Sequence, residues 1–322
     1  SRSPHTRPMP AAARVDPKAF FTPDELAALR APSAWRGPAM VAHAWGVIAL
    51  AGAVGVIVPW LIPLSIMVIG ARQLGLAILM HEAAHGALHP NRQVNDRLGH
   101  WLCAVPVGAS LHAYRPYHLA HHRFAQQAED PDLPLSAKFP VDRASLRRKM
   151  IRDLTGQTFF RQRIAPFLSR KGAGGDDETP EGARVTARSA APFLAVNAGL
   201  FGVCVLAGAW WAYPVLWLVP MATWFPLVTR VRNIAEHACT PDAADPLRHA
   251  RTTRAAWWER ALIAPYYVNY HCEHHMFMWL PAWRLPQAHR LLRAKGVAAR
   301  MEVEPGGYAA VLRRVVTAPA AG

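Results

Sequence analysis

The sequence predicts an all-α integral membrane fold: two transmembrane helical hairpins, four spans in all, with a cytoplasmic helical cap. Three observations predict it. Two long blocks are nearly free of charge: Val41 to Met80, broken only by Arg72, and Ala190 to Thr229, which has no charged residue. The Lys and Arg residues lie almost entirely outside those blocks, and the histidines gather in short strings just beyond them.

Residues 1–40 form a cytoplasmic N-terminal segment. Thr22-Pro23-Asp24-Glu25 predicts a helix start, with Thr22 as N-cap, Pro23 in the first turn and Glu25 at the capping-box position, and we expect a short interfacial helix there. The segment lacks an apolar core long enough for a cleavable signal peptide.

Residues 41–80 are the first hairpin. A single span needs about 20 apolar residues, so the block holds two, turning at Pro59 to Pro63 (PWLIP) where proline breaks the helix. Arg72, midway along the second span, is expected to face the bundle interior and support a polar group near the site, because a charge exposed to lipid is costly. Residues 81–189 are a cytoplasmic segment. Within it His100 to His112 (HWLCAVPVGASLH) is apolar but too short to cross and reads as buried or re-entrant, and the Gly-rich Ser169 to Arg184 reads as a mobile loop.

Residues 190–229 are the second hairpin, turning at Tyr213-Pro214. Residues 230–322 are a C-terminal cytoplasmic segment with helices near Thr252 to Ile263 and Pro286 to Lys295, the latter stopped by Gly296.

Charge orients the chain. There are 6 Lys and Arg before Val41, 14 from Tyr114 to Ser189 and 13 from Arg230 onward, which assigns those three segments to the cytoplasm. The net charge of +15 alone would suggest nucleic-acid binding, but charges flanking apolar spans are what topology requires, so that class is excluded. Cys103, Cys204, Cys239 and Cys272 include no C-x-x-C pair, which argues against a disulfide framework or an iron-sulfur site.

The chemistry lies in the 16 histidines. His81-Glu82-Ala83-Ala84-His85 continues the second span and puts two imidazoles on one helical face; one such pair is expected by chance in a chain this rich in histidine. His118-Leu119-Ala120-His121-His122 and His271-Cys272-Glu273-His274-His275 are more telling, since a given H-x-x-H-H arises by chance only about 0.04 times in such a chain. Positions i, i+3 and i+4 share a face, while i+3 and i+4 diverge by about 100°, so each string can serve two neighbouring ions. Asn233-Ile234-Ala235-Glu236-His237 follows the fourth span and adds an amide and an imidazole at i, i+4. Together these donors exceed what one mononuclear site can use, so the cap is expected to hold a di-metal site. Imidazole ligation suits iron, copper, nickel or zinc, so ligand type alone does not name the metal. Glu82, Glu236 and Glu273 stand beside these histidines and are candidates for orienting them through the second ring nitrogen.

HEAAH, HLAHH and HCEHH, with NIAEH, resemble the three histidine boxes of the membrane fatty acid desaturase and hydroxylase superfamily. The texts AHHRFAQQAEDPDLP and NYHCEHHMFMWLPAWRLPQAHRLL are similar to bacterial desaturases in particular. The resemblance covers about residues 40 to 295. It implies two iron ions held by His81, His85, His118, His121, His122, His237, His271, His274 and His275, with Asn233 acting through water. It also implies O2 as co-substrate, hydrogen abstraction from a lipid or acyl chain, an external electron donor such as a ferredoxin or cytochrome, and a bacterial inner membrane with the site on its cytoplasmic side. An apolar slot is expected beside the metals, with Trp279 and Trp283 either lining it or anchoring at the interface. His271 stands where front-end desaturases commonly have glutamine, which argues against that subgroup.

Fatty acyl desaturation is the expected reaction; carotenoid ketolases or hydroxylases and sphingolipid or fatty acid hydroxylases use similar boxes. Two remoter readings are an intramembrane zinc protease, since HEAAH is also H-E-x-x-H, and a non-enzymatic metal carrier. The protease needs one more ligand rather than seven, and a carrier's histidines would line a path rather than gather at helix ends on one side.

Overall fold

The computed structural model describes residues 14–165 and 187–317. Helix α1 (Pro23–Arg30) starts at the expected capping box, Thr22 Oγ1 accepting the Glu25 amide at 3.3 Å and Glu25 accepting the Thr22 amide at 2.8 Å. It packs inward as well: Leu26 and Leu29, with Phe21, share a core with Phe277, Leu285 and Leu292 of the C-terminal segment. The expected short helix is thus packed onto the C-terminal segment.

Helices α2 (Arg36–Ile57) and α3 (Ile62–Ala84) form the first hairpin, turning through Pro59–Leu61. α2 buries one stripe, Gly37, Val41, Ala44, Ile48 and Gly55, whereas α3 is buried almost all round from Ile69 to Ala84 and is the central element. Gly37 has to be glycine, because a Cβ there would stand 1.7 Å from the Leu88 carbonyl oxygen.

The His100 to His112 stretch holds no helix long enough to cross a membrane. It forms wide and tight helical turns over Leu98–Ala104 and Val105–Val107, buried from Cys103 to Ala109, and leads into α4 (Leu111–Phe124) and α5 (Arg143–Leu154). The expected loop at Ser169 to Arg184 lies outside the described residues.

The second hairpin comprises α6 (Ala187–Leu206), a turn with Gly208 at φ +71°, and a helical run through Pro214–Leu218 and Val219–Ala222 into α7 (Trp224–His237). Four spans were expected; among the described residues three helices are long and apolar enough to cross, Arg36–Ile57, Pro59–Ala84 and Pro214–His237, and the apolar stretch Ala190–Leu206 is shorter. Asn197 ties α6 to its neighbours. Its amide donates to the carbonyls of Phe193 and Pro106, and its oxygen accepts from the Tyr213 hydroxyl and the Trp217 indole, so no polar atom is stranded in an apolar setting.

The C-terminal segment carries α8 (Trp257–Leu262), α9 (His271–Met276), α10 (Leu285–Ala294) and α11 (Gly307–Arg314). The expected helix over Thr252 to Ile263 is only half present. Thr252–Thr253 is instead a strand paired in parallel with Val303–Glu304, since these β-branched residues bond their amides to Glu302 and Asn269 carbonyls at 2.9 Å. α10 ends as expected, at Gly296 with φ +74°.

Arg72 is buried in α3. Its Nη2 donates to the Ala261 carbonyl at 2.6 Å and reaches that of Arg260 at 3.4 Å, while its guanidinium lies over the Tyr266 ring. The polar group it supports is therefore the carboxyl end of α8, whose carbonyls lack partners within their own helix.

Candidate metal centre

Four helix ends deliver the histidines to one place. α3 brings His81 and His85; α4 brings His118, His121 and His122; α7 ends at His237; α9 carries His271, His274 and His275. Two of these ends are fixed by arginines that bond carbonyls of the last turn. Arg115 on α4 donates to the carbonyls of Ala83 and Ala84 at 3.0 and 3.1 Å and pairs with Asp96, locking the first string to the second. Fully buried Arg251 donates to the carbonyls of Ala235 and Ala238 at the end of α7 and is balanced by Glu302.

All nine histidines singled out in the sequence fall into two groups. His81, His85, His118, His122 and His274 form one; His121, His237, His271 and His275 form the other. Within each, one nitrogen per ring lies within 4.8 Å of all the rest. The division follows helical periodicity: His118 and His122, one turn apart, join the five-membered group while His121 between them joins the other, and in the third string His271 and His275 go one way and His274 the other. The groups adjoin, with the rings of His122 and His275 4.3 Å apart.

The geometry fits metal ions. Nε2 atoms approach at 2.9 Å (His85 and His118) and 3.0 Å (His118 and His122, His122 and His274, His237 and His271). Two imidazole nitrogens bound at right angles to one ion at about 2.1 Å would stand about 3.0 Å apart. His237 gives its Nδ1 proton to the His249 carbonyl at 3.0 Å, and His271 Nδ1 stands 3.3 Å from the Glu236 carboxylate. The bare Nε2 lone pair of His237 is thereby turned toward His271 Nε2, where a cation held between the two rings would be stabilised.

Protonation agrees. Burial first, and then the nearness of other rings, holds His118, His122, His271, His274 and His275 well below the ordinary imidazole range. His85 is pushed down to about 3. Such rings are neutral donors at pH 7. His121 goes the other way: burial opposes its charge, but Asp132 and Asp130 outweigh it and raise the value.

The carboxylates divide. Glu82 Oε1 stands 3.3 Å from His81 Nδ1, its other oxygen accepting the Ala282 amide at 2.7 Å, and Glu236 reaches His271 while pairing with Arg232. Glu273 departs from the expectation. It accepts from His289 and from the Thr252 hydroxyl, so it anchors α9 to the strand pair and to α10 rather than touching a clustered ring. Sequence reasoning missed Asp130, which accepts the His121 Nδ1 proton at 2.7 Å and is held by the amides of Gln126 and Asp132. Its only signal was an acidic loop following the second string. Also missed were Tyr114, stacked on His118 at 5.1 Å, and His249, buried against His275.

A cavity of about 200 Å³ opens beside the centre. Leu74, Met80, Val107, Met221 and Phe225 make its apolar wall; Tyr114, Tyr117, Asp132 and Asn233 stand nearer the histidines, four of which line it. Trp279 and Trp283 line neither this cavity nor a smaller one near the centre; Trp279 carries the Arg30 guanidinium at 4.8 Å instead.

Comparison with known proteins agrees with this geometry. The chain is 27% identical over 264 residues to the dihydrorhizobitoxine desaturase of Bradyrhizobium elkanii, covering 77% of this chain and 72% of that one. It is 26% identical over 236 residues to the beta-carotene ketolase of Paracoccus sp. (strain N81106 / MBIC 01143), covering 70% and 76%. The family model for fatty acid desaturases matches residues 57–304, which takes in every histidine of both groups, and the chain therefore belongs to the fatty acid desaturase family of membrane oxidoreductases.

Proposed function

We propose that the protein is an O2-dependent di-iron desaturase acting on a fatty acyl chain, with its centre on the cytoplasmic side of a four-span bundle. The observation that carries this reading is the interleaved pair of histidine groups opening onto a cavity with an apolar wall. His81, His85, His118, His122 and His274 would hold one iron and His121, His237, His271 and His275 the other, with Asn233 acting through water. Bound there, the pair of irons would supply the redox chemistry that activates O2 to take hydrogen from a methylene group.

The remaining work falls to the chain. Burial keeps His85, His118, His122, His271, His274 and His275 neutral so that each offers a lone pair. Asp130, Glu82, Glu236 and the His249 carbonyl fix ring orientation from behind. Leu74, Met80, Met221 and Phe225 exclude water and hold the alkyl chain against the centre. The electrons come from an external carrier protein.

A second reading, oxygen insertion as in a hydroxylase or ketolase, draws on the near-equal likeness to a desaturase and a ketolase. Both outcomes begin with the same hydrogen abstraction, and an ångström of substrate placement separates them. Expression in a bacterial host, with iron analysis of the purified protein and mass spectrometry of the host's lipids and carotenoids, tests the proposal. A new double bond in an acyl chain supports it. A new alcohol or ketone favours the second reading, and protein that retains zinc alone overturns both.

A further inference from the structure

The cavity beside the histidines carries an imbalance of charge. Its lining includes five cationic side chains, Lys138, Lys149, Arg163, Arg230 and Arg232, but only two carboxylates, Asp132 and Glu236. Both carboxylates are engaged, Glu236 with Arg232 and Asp132 with the Tyr117 hydroxyl. Asp153, buried outside the lining, is taken up by Arg230 at 2.5 and 3.0 Å and by the Thr158 hydroxyl at 2.6 Å.

Arg163 stands apart from these pairs. It lies on the helical turns Phe160–Ile164, half-buried, and Thr158, Phe159 and Gln162 just before it line the same cavity. Its Nη1 donates to the Gly108 carbonyl at 2.6 Å, and no carboxylate among the described residues pairs with it. A guanidinium has five donors, and that carbonyl occupies one. Burial pushes the group down to about 10, with no acid to offset the loss of water, so it still carries its charge at pH 7. A cation set in a cavity wall without a counter-charge is costly, and a neutral donor would serve the Gly108 carbonyl as well. The missing counter-charge is one that a ligand can bring, and a guanidinium fork matches a carboxylate.

We propose that Arg163 anchors a carboxylate at the end of the substrate, which is therefore a short free acid rather than an ester or a carrier-bound acyl group. The inference rests on the reading of this cavity as the site of acyl-chain oxidation. Size agrees with it. About 200 Å³ is the liquid volume of about seven waters at about 30 Å³ each, which suits a short alkyl chain and leaves no room for a carrier arm. The lining that holds Arg163 also includes His118 of one group and His121, His237 and His271 of the other. An acid held at Arg163 thus lays its alkyl part past Met221 and Phe225 toward the centre, and the carbon attacked is counted from the carboxylate.

Full-length, iron-loaded protein in nonionic detergent is titrated calorimetrically with octanoate, with octanamide as its neutral counterpart of the same size, and with octyl phosphate. The parent is expected to bind octanoate at least about tenfold more tightly than octanamide. Arg163→Gln, which keeps a donor for the Gly108 carbonyl, is expected to bind the two alike, and Arg163→Lys, with the charge but not the fork, to fall between. Octanamide bound by the parent as tightly as octanoate, octanoate binding unchanged in Arg163→Gln, or both ligands weakened alike, as a merely structural arginine would do, overturns the proposal. Tighter binding of octyl phosphate overturns the assignment to a carboxylate. If Arg163→Gln does not fold, modification of the parent by phenylglyoxal, read by mass spectrometry at the peptide carrying Arg163, decides: protection by octanoate but not by octanamide supports the anchor, and equal modification overturns it. Binding needs no turnover, so octanoate held at Arg163 but returned without a double bond, alcohol or ketone supports the anchor and counts against the acyl-oxidation reading alone.

Discussion

His237 and His271 bring their Nε2 atoms within 3.0 Å, with the Nδ1 of His237 bonded to the His249 carbonyl and that of His271 3.3 Å from the Glu236 carboxylate. Two ring nitrogens held this close and turned toward each other are placed to share one cation. The chain has built half of a coordination sphere and fixed it from behind.

The two histidine groups are expected to fail separately in metal content and together in activity. His118→Ala or His274→Ala removes a donor from the five-histidine group, and His237→Ala or His271→Ala one from the four-histidine group. Each variant is expected to purify with about one iron in place of two and to lose activity by more than about a hundredfold. Iron analysis beside a turnover assay checks this; any of the four keeping two irons and full turnover contradicts the assignment.

Asp130→Asn tests orientation from behind. The amide keeps the size of the carboxylate but is a far weaker acceptor for the His121 Nδ1 proton, so metal affinity should fall about 10- to 100-fold while the helix content holds. Competition with a chelator measures it. An unchanged affinity would remove Asp130 from the centre.

Arg72→Leu addresses the charge in the second span. The guanidinium bonds carbonyls at the end of α8, and leucine leaves them bare, a cost of about 1 to 3 kcal/mol. Thermal unfolding should show lower stability with metal content intact. If stability and activity both match the parent, Arg72 has no supporting role.

The depressed imidazoles give a sign for pH. His85 has an ordinary value of 6.5 when unfolded and about 3 in the folded chain, so the unfolded state takes up the proton first. Stability of the metal-free protein should fall as pH drops from about 6.5 toward 3, with His118, His122, His271, His274 and His275 acting in the same direction and His121, whose value is raised, opposing them and contributing stability that is lost on the alkaline side. Denaturant titrations across that range check it; stability that rises on acidification would mean the rings are charged in the folded state.

Much of this was legible in the sequence because it is periodic or local. Charge-free blocks mark the hairpins, proline marks the turn at Pro59, and the i, i+3, i+4 spacing of the strings foretells which rings separate into which group. What was hidden depends on contacts far apart in the chain. Nothing local says that Asp130 folds back nine residues to meet His121, that Thr252 and Thr253 leave the helical path to pair with Val303 and Glu304, or that Glu273 turns to His289. α1 advertised its capping box but not its partner, because amphipathicity tells which face is buried and not against what.

Each H-x-x-H-H string contributes to both groups, and this bears on how the protein is made. On a nascent chain the first two strings emerge long before His271, so neither group has its full set of nitrogens until the third has folded onto them. Both groups are thereby completed by α9, the last of the four helix ends to be made.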